Sequence, residues 1–341
     1  MKLGIIGCGA VFEKFHLPAY LKMENIEITA VCDTREDRLE KFCKSLNIKY
    51  CFENWKELIK LNELNVVSIC TPNYLHSEIT IEGLKKNKHI LLEKPIATKV
   101  EDAEKIIKAN ARSRGRLMIG FTHRFNQINK IAKKAIEKGL LGVPNMIRIR
   151  IAHSGMNIHW NPVTDWYYVK EKSGGGVLMD LGTDAVDLIR YFLGEIIEVS
   201  AYTFSLNELI EVEDSASAIL KIKNNIIGII DVSWCSASKD CIIEIFGDSG
   251  TIKIDYNNYP PLKLFNKNNK MLNIPAWFSP EVTTDPGFED EIEYFINSIK
   301  QKKGFISNAN DGYSVLKVIK SIYESAEKNK PIRVNTSSKI E

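Results

Sequence analysis

The sequence predicts an α/β protein of two domains, a doubly wound parallel sheet followed by a largely antiparallel one. Three observations carry this. The first third alternates short apolar runs with amphipathic stretches, as strands buried on both faces between helices do. After about Phe121 the apolar runs become longer and fewer helices separate them, which favours antiparallel pairing. At about 150 residues per domain, a chain of 341 residues has room for two. The expected division is 1–121 for a nucleotide-binding domain and 122–341 for a substrate-binding and oligomerisation domain.

In chain order, residues 3–6, 28–32, 66–70, 90–92 and 117–119 read as the strands of the first sheet. Residues 35–46, 54–61, 75–86 and 100–113 read as its helices, with Asn54 and Thr98 as N-caps. Pro18 interrupts the helix after the first strand, so a kink or early stop is expected there. Residues 125–138 form the next helix, closed by Gly139. Residues 145–153, 196–204, 215–222, 226–234, 241–246 and 251–255 supply the second sheet, and residues 289–299 and 312–327 two late helices. The polar tail 335–341 is expected to fray.

Apolar residues make up 44% and charged residues 26%, the composition of an ordinary globular chain. With 46 basic and 43 acidic residues the formal net charge is only +3, which argues against a nucleic-acid groove or a membrane-binding face. No apolar run approaches the roughly 20 residues of a membrane span. The N-terminus enters a strand directly and lacks the pattern of a signal peptide. The seven cysteines (8, 32, 43, 51, 70, 235 and 241) form no C-x-x-C pair and mostly lie in apolar runs. They read as reduced core residues of a cytoplasmic protein.

Four short motifs carry chemistry. Gly7-Cys8-Gly9-Ala10-Val11-Phe12 follows the first strand and opens a helix, while the second strand ends in Asp33. That is the context of a dinucleotide fingerprint: glycines admit a pyrophosphate to the helix N-terminus, and Asp33 accepts hydrogen bonds from a ribose diol. Phe12 departs from the usual small third residue, and a methyl-donor-binding fold shares both features. Thr71-Pro72-Asn73 ends the next strand at the carboxyl edge, where open α/β sheets bind ligands; alone it is an ordinary turn. Glu93-Lys94-Pro95 enters the same edge. A desolvated Lys94 beside a cationic nicotinamide would have a lowered pKa and could shuttle a proton; alone the pair is a surface Glu–Lys. Gly174-Gly175-Gly176 makes a flexible approach to a helix starting near Val177. That helix carries Asp180, Asp184 and Asp187 on one face, either a ligand-facing stripe or a solvated one. No metal is expected there, for no histidine lies nearby in sequence. Residues 156–168 hold Trp160, Trp166, Tyr167, Tyr168 and His159, with His153 just before. They form either a sugar-stacking loop or one packed on the sheet.

Taken together these residues resemble the Gfo/Idh/MocA family of glucose–fructose oxidoreductases and inositol dehydrogenases. The likeness rests on Gly7-x-Gly9 with His16-Leu17-Pro18-Ala19, Asp33, Thr71-Pro72-Asn73 with His76, Glu93-Lys94-Pro95, Arg124-Phe125 and the triple-glycine helix start. It implies an N-terminal Rossmann domain and a C-terminal α/β domain whose open antiparallel sheet often forms the oligomer interface. It implies NAD, with NADP as the alternative, held by Gly7, Gly9, Ala10, Val11, Phe12, Asp33, Arg35, Thr71, Pro72, Asn73, His76, Glu93 and Lys94. Arg35 is the residue that would admit a 2′-phosphate. It implies Lys94 and Asp180 at the reacting carbon, with Asp184 where the family usually has histidine, and a cis Lys94–Pro95 bond. Lys94, Arg124, His159, Trp166, Asp180 and Asp184 are the expected substrate contacts.

The expected activity is hydride transfer between NAD(P) and a carbinol carbon of a sugar, polyol or nucleotide-linked sugar, with Lys94 as acid/base. The alternatives are a non-catalytic dinucleotide sensor and an NAD-dependent glycosidase. The expected assembly is a homodimer or homotetramer built on strands such as 215–222 and 226–234.

Overall fold

β1 (Lys2–Ile6), β2 (Glu27–Cys32), β3 (Tyr50–Phe52), β4 (Val66–Ile69), β5 (His89–Glu93) and β6 (Leu117–Gly120) form one parallel sheet, in the order β3-β2-β1-β4-β5-β6. This is a computed structural model, and it describes residues 1–155, 165–267 and 275–335. The strand order reverses between β1 and β4, which opens a crevice at their carboxyl ends. The connecting helices are α1 (Leu17–Leu21, entered through a π turn at Phe12–His16), α2 (Glu36–Ser45), α3 (Trp55–Lys60), α4 (His76–Lys85) and α5 (Val100–Arg112). The π turn sits directly ahead of Pro18, so the chain bends without stopping.

Asn54 caps α3 as expected, accepting from the Lys56 N–H. Thr98 does not cap α5: Lys99 holds the N-cap position, with no side-chain hydrogen bond. β3 has no counterpart in the sequence reading, for its three residues make a half-exposed edge without an apolar run. The cysteine reading needs correction as well. Cys43 and Cys51 form a disulfide across a Cα–Cα distance of 6.3 Å. The turn after α2 folds back, with the Ile48 N–H donating to the Cys43 carbonyl, and so brings the two together. Cys51 is exposed, as is the free Cys235.

The second sheet contains β7 (Pro144–Ala152), β8 (Ile196–Phe204), β9 (Ser215–Ile222), β10 (Ile226–Ser233), β11 (Asp240–Gly247), β12 (Gly250–Asp255), β13 (Leu262–Asn266), β14 (Ala276–Phe278) and β15 (Ile332–Arg333). Its order is β14-β13-β12-β11-β7-β10-β9-β8-β15, antiparallel except where β7 meets β10. Alternation fixes which face is covered. In β9, Ala216, Ala218, Leu220 and Ile222 are buried while Ser217, Ile219 and Lys221 are exposed.

The inner face packs on α6 (Gln127–Glu137) and α7 (Thr183–Leu193), the latter entered through a second π turn at Leu178–Gly182. Two late helices follow, α8 (Phe288–Lys300) and α9 (Ala309–Lys328). α8 returns to the first sheet, where Ile292, Phe295 and Ile296 join Leu3, Ile5, Phe12 and Val31 in one apolar cluster. α9 bridges α5 and β8 and starts with a capping box between Asn308 and Asp311. No helix among the described residues is long and apolar enough to cross a membrane. Of the tail, only Asn335 falls within the described residues.

Candidate active site

The crevice begins where β1 turns into α1. Gly7 has φ +93°, and a Cβ there would stand 2.5 Å from the Cys70 carbonyl oxygen, so only glycine fits. Above Gly9 the space is open, with the Arg38 guanidinium at its edge. Asp33 is held by two backbone donors, Cys8 N–H at 2.8 Å and Arg35 N–H at 2.9 Å. The Arg35 guanidinium turns back onto Asp37. Gly7, Gly9, Ala10, Val11, Asp33, Arg35, Thr71 and Pro72 line this cavity of about 280 Å³, and so do Arg38, Glu53 and Trp55, which the sequence reading missed.

The crevice continues past Val11, Cys70, Thr71, Trp166 and Tyr167 into a second cavity of about 580 Å³. Asn73, Glu93, Lys94, Asp180 and Asp184 line it. Lys94 is its centre. Its Nζ lies 2.9 Å from Asp180 Oδ1, 3.1 Å from the Asp180 carbonyl oxygen and 3.0 Å from Asp184 Oδ2. The Lys94–Pro95 bond is cis, as expected. The expected lowering of the Lys94 pKa is overturned. Burial does disfavour the ammonium, but the two carboxylates outweigh it and hold the group well above the usual lysine value.

The carboxylate stripe divides in two. Asp180 sits in the π turn and Asp184 at the start of α7, and both reach Lys94. Asp187 instead points into the protein, where it receives Arg124 Nε at 2.9 Å and Nη2 at 2.6 Å. Arg124 is 5% exposed and also meets Asp311 and the Ile306 carbonyl, so it is a buried structural ion pair rather than a substrate contact. The glycine run is not a flexible hinge either. A Cβ on Gly176 would stand 1.8 Å from the Glu213 carbonyl oxygen, and the Glu213 carboxylate accepts the Gly176 and Leu178 N–H groups.

Two further expected cofactor residues lie outside the crevice. Phe12 is fully buried against Phe42, its ring edge-on at 5.2 Å. His76 is also fully buried, its ring nitrogens 2.7 Å and 2.9 Å from the Pro95 and Thr71 carbonyl oxygens, where it ties together the two loops that line the site. Asn73 ties the turn after β4 to the chain just before the glycine run, donating to the Ser173 carbonyl at 2.8 Å. Trp166 and Tyr167 stack 3.8 Å apart on the cavity wall. His159 and Trp160 lie outside the described residues, while His153 lines the cavity.

Behind Lys94 lies a further layer, in which His16 and Glu93 come from motifs quoted above and Thr122 and Glu291 from none. His16 Nε2 is 2.7 Å from Glu93 Oε1, and His16 Nδ1 is 3.2 Å from Ser68 Oγ. Glu291, from α8, is fully buried and accepts the Thr122 hydroxyl at 2.8 Å. Among the described residues no group of His, Cys, Asp or Glu side chains is arranged to hold a metal ion.

Comparison with known proteins agrees with this architecture. Residues 1–121 match the oxidoreductase family with an NAD-binding Rossmann fold, and residues 130–253 match the GFO/IDH/MocA C-terminal domain. Myo-inositol 2-dehydrogenase of Thermotoga maritima is 26% identical over 342 residues, covering 98% of each chain. Glucose-6-phosphate 3-dehydrogenase of Bacillus subtilis is 27% identical, over 98% of this chain and 99% of that one. The solved structure of levoglucosan dehydrogenase in complex with NADH has the same fold, with a TM-score of 0.89 at 22% identity over 99% of this chain and 100% of that one.

Proposed function

The chain belongs to the Gfo/Idh/MocA family of oxidoreductases with an NAD-binding Rossmann fold, and from that membership we propose that it moves a hydride between nicotinamide and a carbinol carbon of a sugar, polyol or nucleotide-linked sugar. One observation carries the reading: Lys94 is held between Asp180 and Asp184 at the far end of a crevice that starts at Asp33. The named relatives act on an inositol and a glucose phosphate, and the stacked Trp166 and Tyr167 offer an aromatic wall to sugar C–H faces.

The residues present fit a dinucleotide. The open cradle above Gly9 and the N–H groups at the start of α1 suit a pyrophosphate. Asp33 would accept the ribose diol, and Arg35, occupied by Asp37, is poorly placed to reward a 2′-phosphate, which favours NAD over NADP. Thr71, Asn73 and Glu93 border the reacting end. When bound, nicotinamide accepts or returns the hydride.

The protein's own residues handle the proton. Lys94 borders the cavity that would hold the reacting oxygen, and it takes the hydroxyl proton as it hands one of its own to Asp180 or Asp184. One ammonium against two carboxylates leaves the unit with a single net negative charge. As the alcohol loses its hydride, its hydroxyl proton passes into this unit and neutralises it. Lys94 therefore works as a relay whose proton is replenished, and Asp180 and Asp184 are the acceptors.

We place the oligomer contact on the open face of the second sheet, where Tyr202, Ile219 and Ile227 are 74%, 60% and 46% exposed. Light scattering should give a homodimer or homotetramer.

The deciding experiment incubates the purified protein with NAD+ and a panel of sugars, polyols and nucleotide sugars, and reads absorbance at the nicotinamide band. Steady NADH formation with one class supports the reading. A glycosidase that recycles its cofactor, or a dinucleotide sensor, would give none. Tighter binding of NADPH than NADH, by fluorescence titration, would overturn the cofactor assignment.

A further inference from the structure

Glu291 takes no part in the chemistry above, yet it lies directly behind it. It is fully buried, Oε2 accepts from Thr122, and Oε1 has no hydrogen-bond partner. No cation pairs with it among the described residues. The acidic groups beside it on α8 are satisfied elsewhere and exposed, Glu289 by Lys22 and Asp290 by Lys130. The charged and titratable groups facing it come from four other elements: Glu93 from β5, His16 and Tyr20 from the π turn and α1, and Asp184 from α7. Glu93 is already paired with His16. A buried carboxyl with one unpartnered oxygen and a carboxylate neighbour holds its proton far above the usual range. Burial, reinforced by Glu93, pushes it up to about 8. Thr122 and Glu93 both line the cavity around Lys94, so a charge on Glu291 is felt there.

We propose that Glu291 is a positioning residue for charge at the nicotinamide site: protonated, it is silent, and ionised, it adds a negative charge that favours the oxidised cofactor over the reduced one. The two cofactor forms differ by one positive charge on the ring, so a buried charge nearby separates their affinities while a solvated one would not. This rests on the cofactor site proposed above. It deepens that site by adding a pH-dependent preference for NAD+ that is independent of substrate.

The test needs no substrate. Dissociation constants of NAD+ and NADH are measured by calorimetry on the full chain at intervals from about pH 6.5 to 9.5. The wild type should show the ratio Kd(NADH)/Kd(NAD+) rising about fivefold, with its midpoint near that of Glu291. Glu291→Gln should hold the low-pH ratio throughout. A flat wild-type ratio, or a rise that survives in Glu291→Gln, overturns the proposal while leaving the cofactor site standing. Absence of binding by either form at pH 6.5 overturns both. If Glu291→Gln gives no cooperative thermal transition, Thr122→Val serves instead. It removes the hydroxyl that stabilises the carboxylate, so the midpoint should move to higher pH, and an unmoved midpoint overturns the proposal.

Discussion

The Asp184 carboxylate lies 3.0 Å from the Lys94 ammonium, across from Asp180 at 2.9 Å. The resemblance to the family places histidine at position 184. Here a second carboxylate takes its place, and Lys94 is a clamped cation whose pKa is raised where a lowered one was expected. In the proposed reaction, proton handling belongs to these three residues together.

Lys94→Met should leave NADH affinity within about twofold, because the nucleotide crevice around Asp33 is built from other elements. Turnover should fall by about 10²–10⁴, the usual contribution of a positioned acid/base group. Steady-state kinetics beside fluorescence titration checks it. A variant with near-normal kcat would make Lys94 structural.

Asp184→Asn should move the pH–rate profile. Asp184 is one of the two carboxylates that raise Lys94. Removing its charge lowers the pH at which Lys94 loses its proton, so the alkaline limb should shift to lower pH, and kcat/KM should drop by about ten- to a hundredfold. An unmoved profile would mean that Asp184 does not share the proton.

Arg124→Met should damage stability far more than substrate recognition. The change strands the buried Asp187, which accepts from both Nε and Nη2. Breaking a buried pair by removing one partner costs about 3–5 kcal/mol. Thermal denaturation should show a Tm lower by several degrees, while KM of the folded fraction stays near normal. A raised KM with unchanged Tm would restore Arg124 as a substrate contact.

Glu291→Gln should be more stable than the wild type at neutral and alkaline pH. The folded-state pKa of about 8 stands above the ordinary 4.5, so between those values the folded protein binds more protons than the unfolded chain. Its stability from this group is full below about 4.5 and is lost as pH rises towards 8. The Tm difference in favour of the glutamine should therefore grow from pH 5 to 8, to a few degrees, and then level off. A difference independent of pH would exclude ionisation of Glu291 as its cause.

Much of the scaffold was legible in the residues. β8 and β9 have the bounds their apolar pattern predicts, and Asn54 and Gly139 stand at the helix ends where they were expected. Gly7, Gly9 and Asp33 share one cavity because strand, turn and helix are consecutive. Short elements at or near the sheet edges escaped: β3, β13, β14 and β15 have two to five residues each and lack the continuous buried run that marks β4 and β6. The Cys43–Cys51 link escaped because it depends on how a helix end folds back onto an edge strand.

What the sequence determined by itself is local. Periodicity says which face of a segment is buried, and glycine, proline and cap residues say where it turns, since each acts within a few residues. Partners of charge were decided only by the tertiary structure. Asp180, Asp184 and Asp187 look alike along one helix, yet a π turn and the packing of α7 send two of them to Lys94 and the third to Arg124. Glu291 belongs to the site only because α8 crosses back to the first sheet and buries Ile292 and Phe295 there. Electrostatic pairing depends on distance and burial in space, and no pattern within a single segment encodes either.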